Sequence, residues 1–227
     1  MKISRTKIDL YMECPHCFYL SESRGIKRPG GFPFSINNAV DSLLKKEFDE
    51  HRKNGTPHPL QAKFGVNAIP ANLPQINDWR NAFKGVKYDS ARHNCTFYGA
   101  IDDLWVTPDG TYHVVDYKAT AKMTPVIELP EWADAYKRQA EIYQWLLRKN
   151  GLRVSDTAYF VYCTGNSKHE NFNDTLHFYS HVIPYNGSDA WIDDTIERMF
   201  ETLAQAQPPA PTPDCDYCNF IEGIKAM

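Results

Sequence analysis

The sequence predicts a mixed α/β fold, also describable as α+β, in which one central sheet is flanked by helices. Three observations carry that prediction. Residues 96–119 read as a β-hairpin closed by Thr107-Pro108-Asp109-Gly110. Long amphipathic stretches precede and follow this hairpin, and two further strand-like runs and a last helix come after it. The order helices, hairpin, helix, strands, helix suits a sheet covered by helices.

Each element has a local reason. Ser4 is placed to cap a first helix running to about Cys14, with Ile8, Tyr11 and Met12 on one face. A loop holding Pro29, Gly30 and Gly31 follows. Ile36, Ala39, Val40, Leu43, Leu44 and Phe48 recur at helical spacing and predict a helix from about Ile36 to Lys53, stopped by Asn54-Gly55. Residues 56–75 read as irregular, and a short helix is expected around Ile76–Phe83. Thr96–Val106 and Thr111–Ala119 are rich in β-branched and aromatic residues and read as strands. Between them, Pro108 suits the second position of a type I turn and Gly110 the positive φ that follows. Pro130–Asn150 reads as a long helix with Gly151 as its stop. Thr157–Cys163 and Leu176–Pro184 read as strands around a polar loop, and Ser188 is expected to cap a helix over Asp189–Gln207. Pro208, Pro209, Pro211 and Pro213 then make a stiff spacer before Cys215-Asp-Tyr-Cys218.

Composition narrows the class. The chain has 227 residues, 42% hydrophobic and 13% aromatic, enough for a core without disulfides and too apolar for disorder. The net charge of −3 argues against a generally basic coat, so any nucleic-acid contact must be a local patch. The N-terminal stretch lacks the apolar run of a secretory signal, and no stretch approaches the ~18 apolar residues of a membrane helix. A cytoplasmic protein is expected.

Six cysteines are present. Cys95 and Cys163 stand alone among apolar residues and read as ordinary buried thiols. Cys14 with Cys17, and Cys215 with Cys218, form two Cys-x-x-Cys units, which in a reducing compartment read as metal ligands. Neither unit opens a helix after a strand, which disfavours a thioredoxin-like redox role. Each pair needs the other to complete a four-sulfur site, so one shared centre is expected to tie the two ends together. The two-plus-two arrangement is the common tetrahedral zinc pattern. A single domain over 1–227 is expected, with 1–20 and 208–227 forming a metal-stapled terminal lobe.

The hairpin carries the chemistry. Its turn sets Thr107 opposite Thr111, and in that register Asp102 lies opposite Asp116, with Lys118 two residues on and on the same face. Facing carboxylates repel unless a cation stands between them. Mg²⁺ prefers one or two carboxylates, with waters and phosphate oxygens completing its shell. A lysine beside it would polarise water and stabilise phosphate charge. On the following helix Gln139 and Tyr143 are four apart and share a face, which Tyr136, Leu146 and Leu147 extend.

Gly99-x-x-Asp102, then Asp116-Tyr117-Lys118, then Gln139-x-x-x-Tyr143 resembles the RecB-type branch of the PD-(D/E)XK nucleases, including the CRISPR adaptation nucleases and the nuclease domains of AddAB and RecBCD. The resemblance covers nearly the whole chain. It implies a restriction-endonuclease-like sheet and a Mg²⁺- or Mn²⁺-dependent deoxyribonuclease. Asp102 and Asp116, with the carbonyl of Tyr117, would bind the metal, Lys118 would be the catalytic lysine, and Gln139 and Tyr143 would support it. Where the family carries a His on the early helix, this chain has Asp41, within Asn38-Ala-Val-Asp41. Asp41 is thus expected as a third carboxylate. Family members with an iron–sulfur centre carry one early and three late cysteines, so the resemblance adds a [4Fe–4S] cluster as the alternative to zinc.

Lys45, Lys46, Lys137, Arg138, Arg148, Lys149 and Arg153 lie on or beside the two helices expected to flank this site. Lys137 and Arg138 are the candidate DNA contacts. The partners implied are DNA and a helicase or CRISPR adaptation protein, and the function implied is exonucleolytic attack on single-stranded or end-containing DNA. The rival reading is a catalytically inactive adaptor that keeps the fold and its metal staple.

Overall fold

The turn at Thr107–Gly110 sets the register of the sheet. In the computed structural model, which describes residues 1–31 and 35–227, Gly110 has φ of 80°, and the Thr107 N–H donates to the Thr111 carbonyl at 3.0 Å. In chain order the elements begin β1 (Lys2–Ser4), α1 (Arg5–Glu13), α2 (Pro15–Arg24), α3 (Ser35–Asn54), α4 (Pro59–Lys63), β2 (Ile69–Pro70), α5 (Ile76–Trp79) and β3 (Val86–Ser90). They continue β4 (Cys95–Gly99), β5 (Asp103–Val106), β6 (Tyr112–Lys122), α6 (Asp134–Lys149), β7 (Thr157–Asn166), β8 (Phe178–Asn186), α7 (Ile192–Leu203) and α8 (Asp216–Lys225). Two units divide the chain: Met1–Phe32, Asp89–Phe97 and Asp189–Met227 make the first, and Pro33–Tyr88 with Tyr98–Ser188 the second. No helix among the described residues is long and apolar enough to cross a membrane.

The second unit holds a five-stranded mixed sheet of order β2-β5-β6-β7-β8. β5 and β6 pair antiparallel with Asp103 opposite Val115 and Val106 opposite Tyr112, the register the turn dictates. β6 and β7 are parallel and joined through α6, and β7 and β8 are antiparallel. Strand alternation gives the sheet two faces. On one, Val115, Tyr117, Val161 and Cys163 pack with Leu44 and Phe48 of α3, and Phe48 stacks on Trp105 and Tyr117 with centroids 5.5 and 5.6 Å apart. The other carries Asp116 and Lys118 toward α6, which buries Ala140, Ile142, Leu146 and Leu147. Gly85, at φ 62°, is required twice over, because a Cβ there would come within 2.7 Å of the Gly99 carbonyl oxygen.

In the first unit β1 belongs to a three-stranded sheet of order β1-β4-β3. Tyr11 of α1 meets Phe18 of α2 edge to face at 5.3 Å, and its hydroxyl lies 3.3 Å from Thr202 Oγ1 of α7. α7 buries Ile192, Thr195, Ile196 and Met199.

Several elements differ from expectation. Pro15 ends α1 but also starts α2, since its missing N–H costs nothing in a first turn. Thr96–Val106 divides into β4 and β5, which belong to different sheets. α4 forms in the stretch expected to be irregular because His58 and Gln61 build a reciprocal capping box. β2, two residues long, is too short to read from pattern, and β3, Val86-Lys-Tyr-Asp-Ser90, is too polar. Ser188 does not cap the last long helix, which starts after Trp191; its N–H donates instead to Glu141 Oε1 at 3.2 Å. The chain ends in a further helix, α8.

Candidate active site

β6 extends beyond β5, so its edge past Asp116 needs partners. Asp102, just before β5, supplies one: its Oδ2 accepts the Tyr117 N–H at 2.9 Å. That bond fixes the Asp102 carboxylate beside Asp116. Two residues along the same face, the Lys118 ammonium pairs with Asp116, donates to Gln139 Oε1 at 3.3 Å, and lies 4.4 Å from the centroid of Tyr136. Gln139 Nε2 in turn donates to the Tyr143 hydroxyl at 3.1 Å. The strand and one turn of α6 thus form a continuous chain Asp116, Lys118, Gln139, Tyr143.

α3 adds a third carboxylate. Lys45 donates to Asp41 Oδ2 at 2.9 Å and lies 3.7 Å from Asp102 Oδ1, so one ammonium is shared by the two acids. Burial, reinforced by the charge of Asp116, pushes Asp102 up to about 6. Burial raises Asp41 as well, with Lys45 opposing it and Asp102 adding to it. For Lys118, burial pulls downward, but Asp116 and Asp102 outweigh it and hold the ammonium above its ordinary value. Asp116 is 1% exposed, its Oδ2 meets the Lys118 ammonium, and its Oδ1 has no hydrogen-bond donor. Buried carboxylate oxygens without donors are costly. Placed beside a second acid, they are an oxygen set suited to a hard divalent cation.

A family model described as the PD-(D/E)XK nuclease superfamily matches residues 34–222. The chain belongs to the PD-(D/E)XK nuclease superfamily. That membership implies nuclease activity and DNA binding, and nucleases of this superfamily generally use divalent metals. No curated protein matches the chain. A solved structure described as the crystal structure of SSO0001 shares 18% identity at a TM-score of 0.43, covering 97% of this chain and 84% of that one.

The basic residues of this PD-(D/E)XK chain do not form one patch. Lys45 is drawn into the carboxylate site. Lys137, in the first turns of α6 with Arg138, pairs with Asp134 at 2.9 Å. Arg148 bonds the Val154 carbonyl and Asp156, and Arg153 pairs with Asp109 in the hairpin turn. Lys149 lies 5.5 Å from the rings of Tyr88 and Trp145. Because α6 returns the chain between parallel strands, Arg148, Lys149 and Arg153 fall at the turn end of the sheet, away from Gln139.

Sequence reading passed over Asp103. Strand alternation turns it away from Asp102 into the interior, where it is fully buried. It pairs with Arg52 at 2.5 Å and Arg80 at 2.9 Å and accepts from the Tyr117 hydroxyl at 2.7 Å. The Asp102-Asp103 doublet was its only signal.

In the first unit the four paired cysteines are buried, and their sulfurs lie within 4.8 Å of one another. Cys14 to Cys218, Cys17 to Cys215 and Cys17 to Cys218 measure 3.9, 3.7 and 3.5 Å. Four sulfurs at ~2.3 Å from one ion would stand about 3.8 Å apart. Burial pushes the Cys14 thiol up, but hydrogen bonds from the Thr212 and Cys17 backbone and from neighbouring thiols bring it to about 6. Arg28, unforeseen from sequence, donates to Cys215 Sγ at 3.4 Å and to Glu13 at 2.6 Å, and lies 4.6 Å from the Tyr217 ring. The cluster can hold a metal, and the Arg28 guanidinium already faces its sulfurs.

Proposed function

We propose that this protein is a Mg²⁺- or Mn²⁺-dependent deoxyribonuclease of the RecB-type branch. The observation that carries the reading is Asp116, buried beside Asp102 with one oxygen on the Lys118 ammonium and the other without a donor. Asp102, Asp116 and Asp41, with the main-chain carbonyl of Tyr117, would hold the cation. When bound, that ion supplies Lewis-acid stabilisation of phosphate charge and lowers the pKa of water. Lys118, held beside Asp116 and Gln139, is placed to donate to phosphate or to the nucleophile. Gln139 holds the ammonium in place, and Tyr143 fixes which way the Gln139 amide points. Lys45 balances Asp41 and Asp102 when the cation is absent. Lys137 and Arg138 contact DNA phosphates beside the start of α6.

The substrate in this reading is single-stranded or end-containing DNA, cut exonucleolytically in the cytoplasm during repair, recombination or CRISPR adaptation, with a helicase or adaptation protein as partner. The whole chain acts as one nuclease domain, with 1–20 and 208–227 as its stapled lobe. Cys14, Cys17, Cys215 and Cys218 hold Zn²⁺. Their short sulfur separations favour one ion over a [4Fe–4S] cluster, where each thiolate binds a different iron and the sulfurs stand further apart. Brown colour after anaerobic purification would replace zinc with the cluster.

End-labelled single- and double-stranded DNA, incubated with Mg²⁺, Mn²⁺ or EDTA, tests the activity. Cutting with either metal and none in EDTA is expected. Intact DNA under every condition would leave the adaptor reading in its place.

A further inference from the structure

The catalytic lysine starts a ladder that the nuclease reading does not use. Lys118 lies 4.4 Å from the Tyr136 centroid. Tyr136 meets Trp132 edge to face at 5.7 Å and 72°. Lys122 lies 5.7 Å from the centroid of Trp132. Lys118 and Lys122 are on one face of β6, four residues or roughly 13 Å apart. Tyr136 and Trp132 run beside them, on the first turn of α6 and the turn that precedes it. Two aromatic rings, Tyr136 and Trp132, therefore stand between two cations, Lys118 at the carboxylate site and Lys122 at the outer end.

At the outer end Trp132 is 60% exposed, while Trp79, Trp105 and Trp145 are buried. Trp132 thus offers an open aromatic surface beside the cation of Lys122. The backbone that carries it is tied down at two points. The Val126 N–H donates to Thr164 Oγ1 of β7 at 3.1 Å, tying down the loop after β6. The Ala133 N–H donates to the Pro130 carbonyl at 2.9 Å, closing the turn around Trp132. Base stacking needs a rigid aromatic face with a cation for the adjoining phosphate, and an unpaired base to occupy it. Duplex DNA keeps its base faces stacked inside the helix.

Resting on the nuclease reading, we infer that Trp132 and Lys122 form a subsite for single-stranded DNA, in which an unpaired base stacks on Trp132 and its phosphate pairs with Lys122, a nucleotide or two from the bond to be cut. The subsite deepens that reading by assigning the strand preference to named residues.

Fluorescence anisotropy with a fluorescein-labelled oligothymidine of about 12 nucleotides tests it, in Ca²⁺ buffer without Mg²⁺ or Mn²⁺. Trp132→Ala should weaken binding about tenfold, Trp132→Phe much less, and Lys122→Gln should flatten the salt dependence. An abasic oligomer and a blunt duplex should bind wild type and Trp132→Ala alike. Unchanged oligothymidine binding by a Trp132→Ala protein that melts as wild type overturns the inference, and so does an equal loss for oligothymidine, abasic oligomer and duplex. If Trp132→Ala unfolds, the ratio between Trp132→Phe and Trp132→Leu decides, equal binding counting against stacking. DNA left intact by wild type in Mg²⁺ would sink the nuclease reading but not the subsite, because binding is read without cutting.

Discussion

The carboxylate site and the cysteine cluster gather metal-ligating side chains by opposite routes. Asp102, Asp116 and Lys118 come from one hairpin, so a single turn and strand alternation bring them together. The cluster joins Cys14 and Cys17 to Cys215 and Cys218, from opposite ends of the chain. The hairpin site also carries its own counter-charges, Lys118 on Asp116 and Lys45 between Asp41 and Asp102. Four thiols within 4.8 Å have mainly Arg28. A site with internal cations keeps its shape without metal. A cluster of thiolates recruited over two hundred residues needs the metal to hold it.

The strongest break of this comparison is Lys118→Ala. Cleavage of end-labelled DNA in Mg²⁺ should fall by about two to three orders of magnitude, while circular dichroism reports a folded chain. Wild-type cleavage by the variant would remove Lys118 from the chemistry. The cysteine cluster should respond the other way round. Cys14→Ser, or a strong chelator, should remove one equivalent of zinc and lower the melting temperature by about 10 °C, while cleavage per folded molecule changes only a few-fold. Unchanged metal content and melting in Cys14→Ser would break the shared site.

Asp103→Ala sharpens the contrast within the hairpin itself. It strands Arg52 and Arg80 in the interior, and breaking a buried ion network by one partner costs about 3–5 kcal/mol. Denaturant melts should show that loss, with the Mg²⁺ concentration needed for half-maximal cleavage unchanged at temperatures where the variant is folded. A stability within experimental error of wild type would mean that the arginines find other partners.

What the sequence makes legible follows from these routes. The facing of Asp102 and Asp116 could be read because Pro108 and Gly110 fix the turn, and the turn fixes every pair behind it. Gln139 and Tyr143 could be read because helical spacing puts them on one face. The role of Asp103 could not, since an acid that alternation turns inward looks no different in sequence from one turned outward, and Arg52 and Arg80 lie on separate segments. Arg28 was hidden for the same reason: only tertiary folding brings a loop cation to thiols far along the chain. The break between β4 and β5 escaped because Thr96, Phe97, Tyr98, Ile101, Leu104, Trp105 and Val106 read as one strand-like run, while its two halves join different sheets. The α8 helix escaped because it is short and carries Gly223 inside it.

The smallest effect expected is also the one whose sign is least intuitive. Burial and the charge of Asp116 raise Asp102 to about 6 in the folded chain, against about 3.9 when unfolded. The native metal-free state therefore binds this proton more tightly than the unfolded state does. Stability from this group is fully present below about pH 4 and is lost as pH rises through about 6. The full shift corresponds to about 3 kcal/mol, but the side chain is 24% exposed and Lys45 and Lys118 can adjust, so about 1 kcal/mol is the better expectation. Asp102→Asn keeps an oxygen to accept the Tyr117 N–H and loses the charge. At pH 7.5 without metal the variant should melt about 2–4 °C above wild type, and the difference should vanish near pH 4. Mg²⁺ should then reverse the order, raising the wild-type melting temperature while leaving Asp102→Asn nearly still. A variant that is less stable than wild type in EDTA at pH 7.5 would show that Asp102 is a structural cap for β6 before it is anything else.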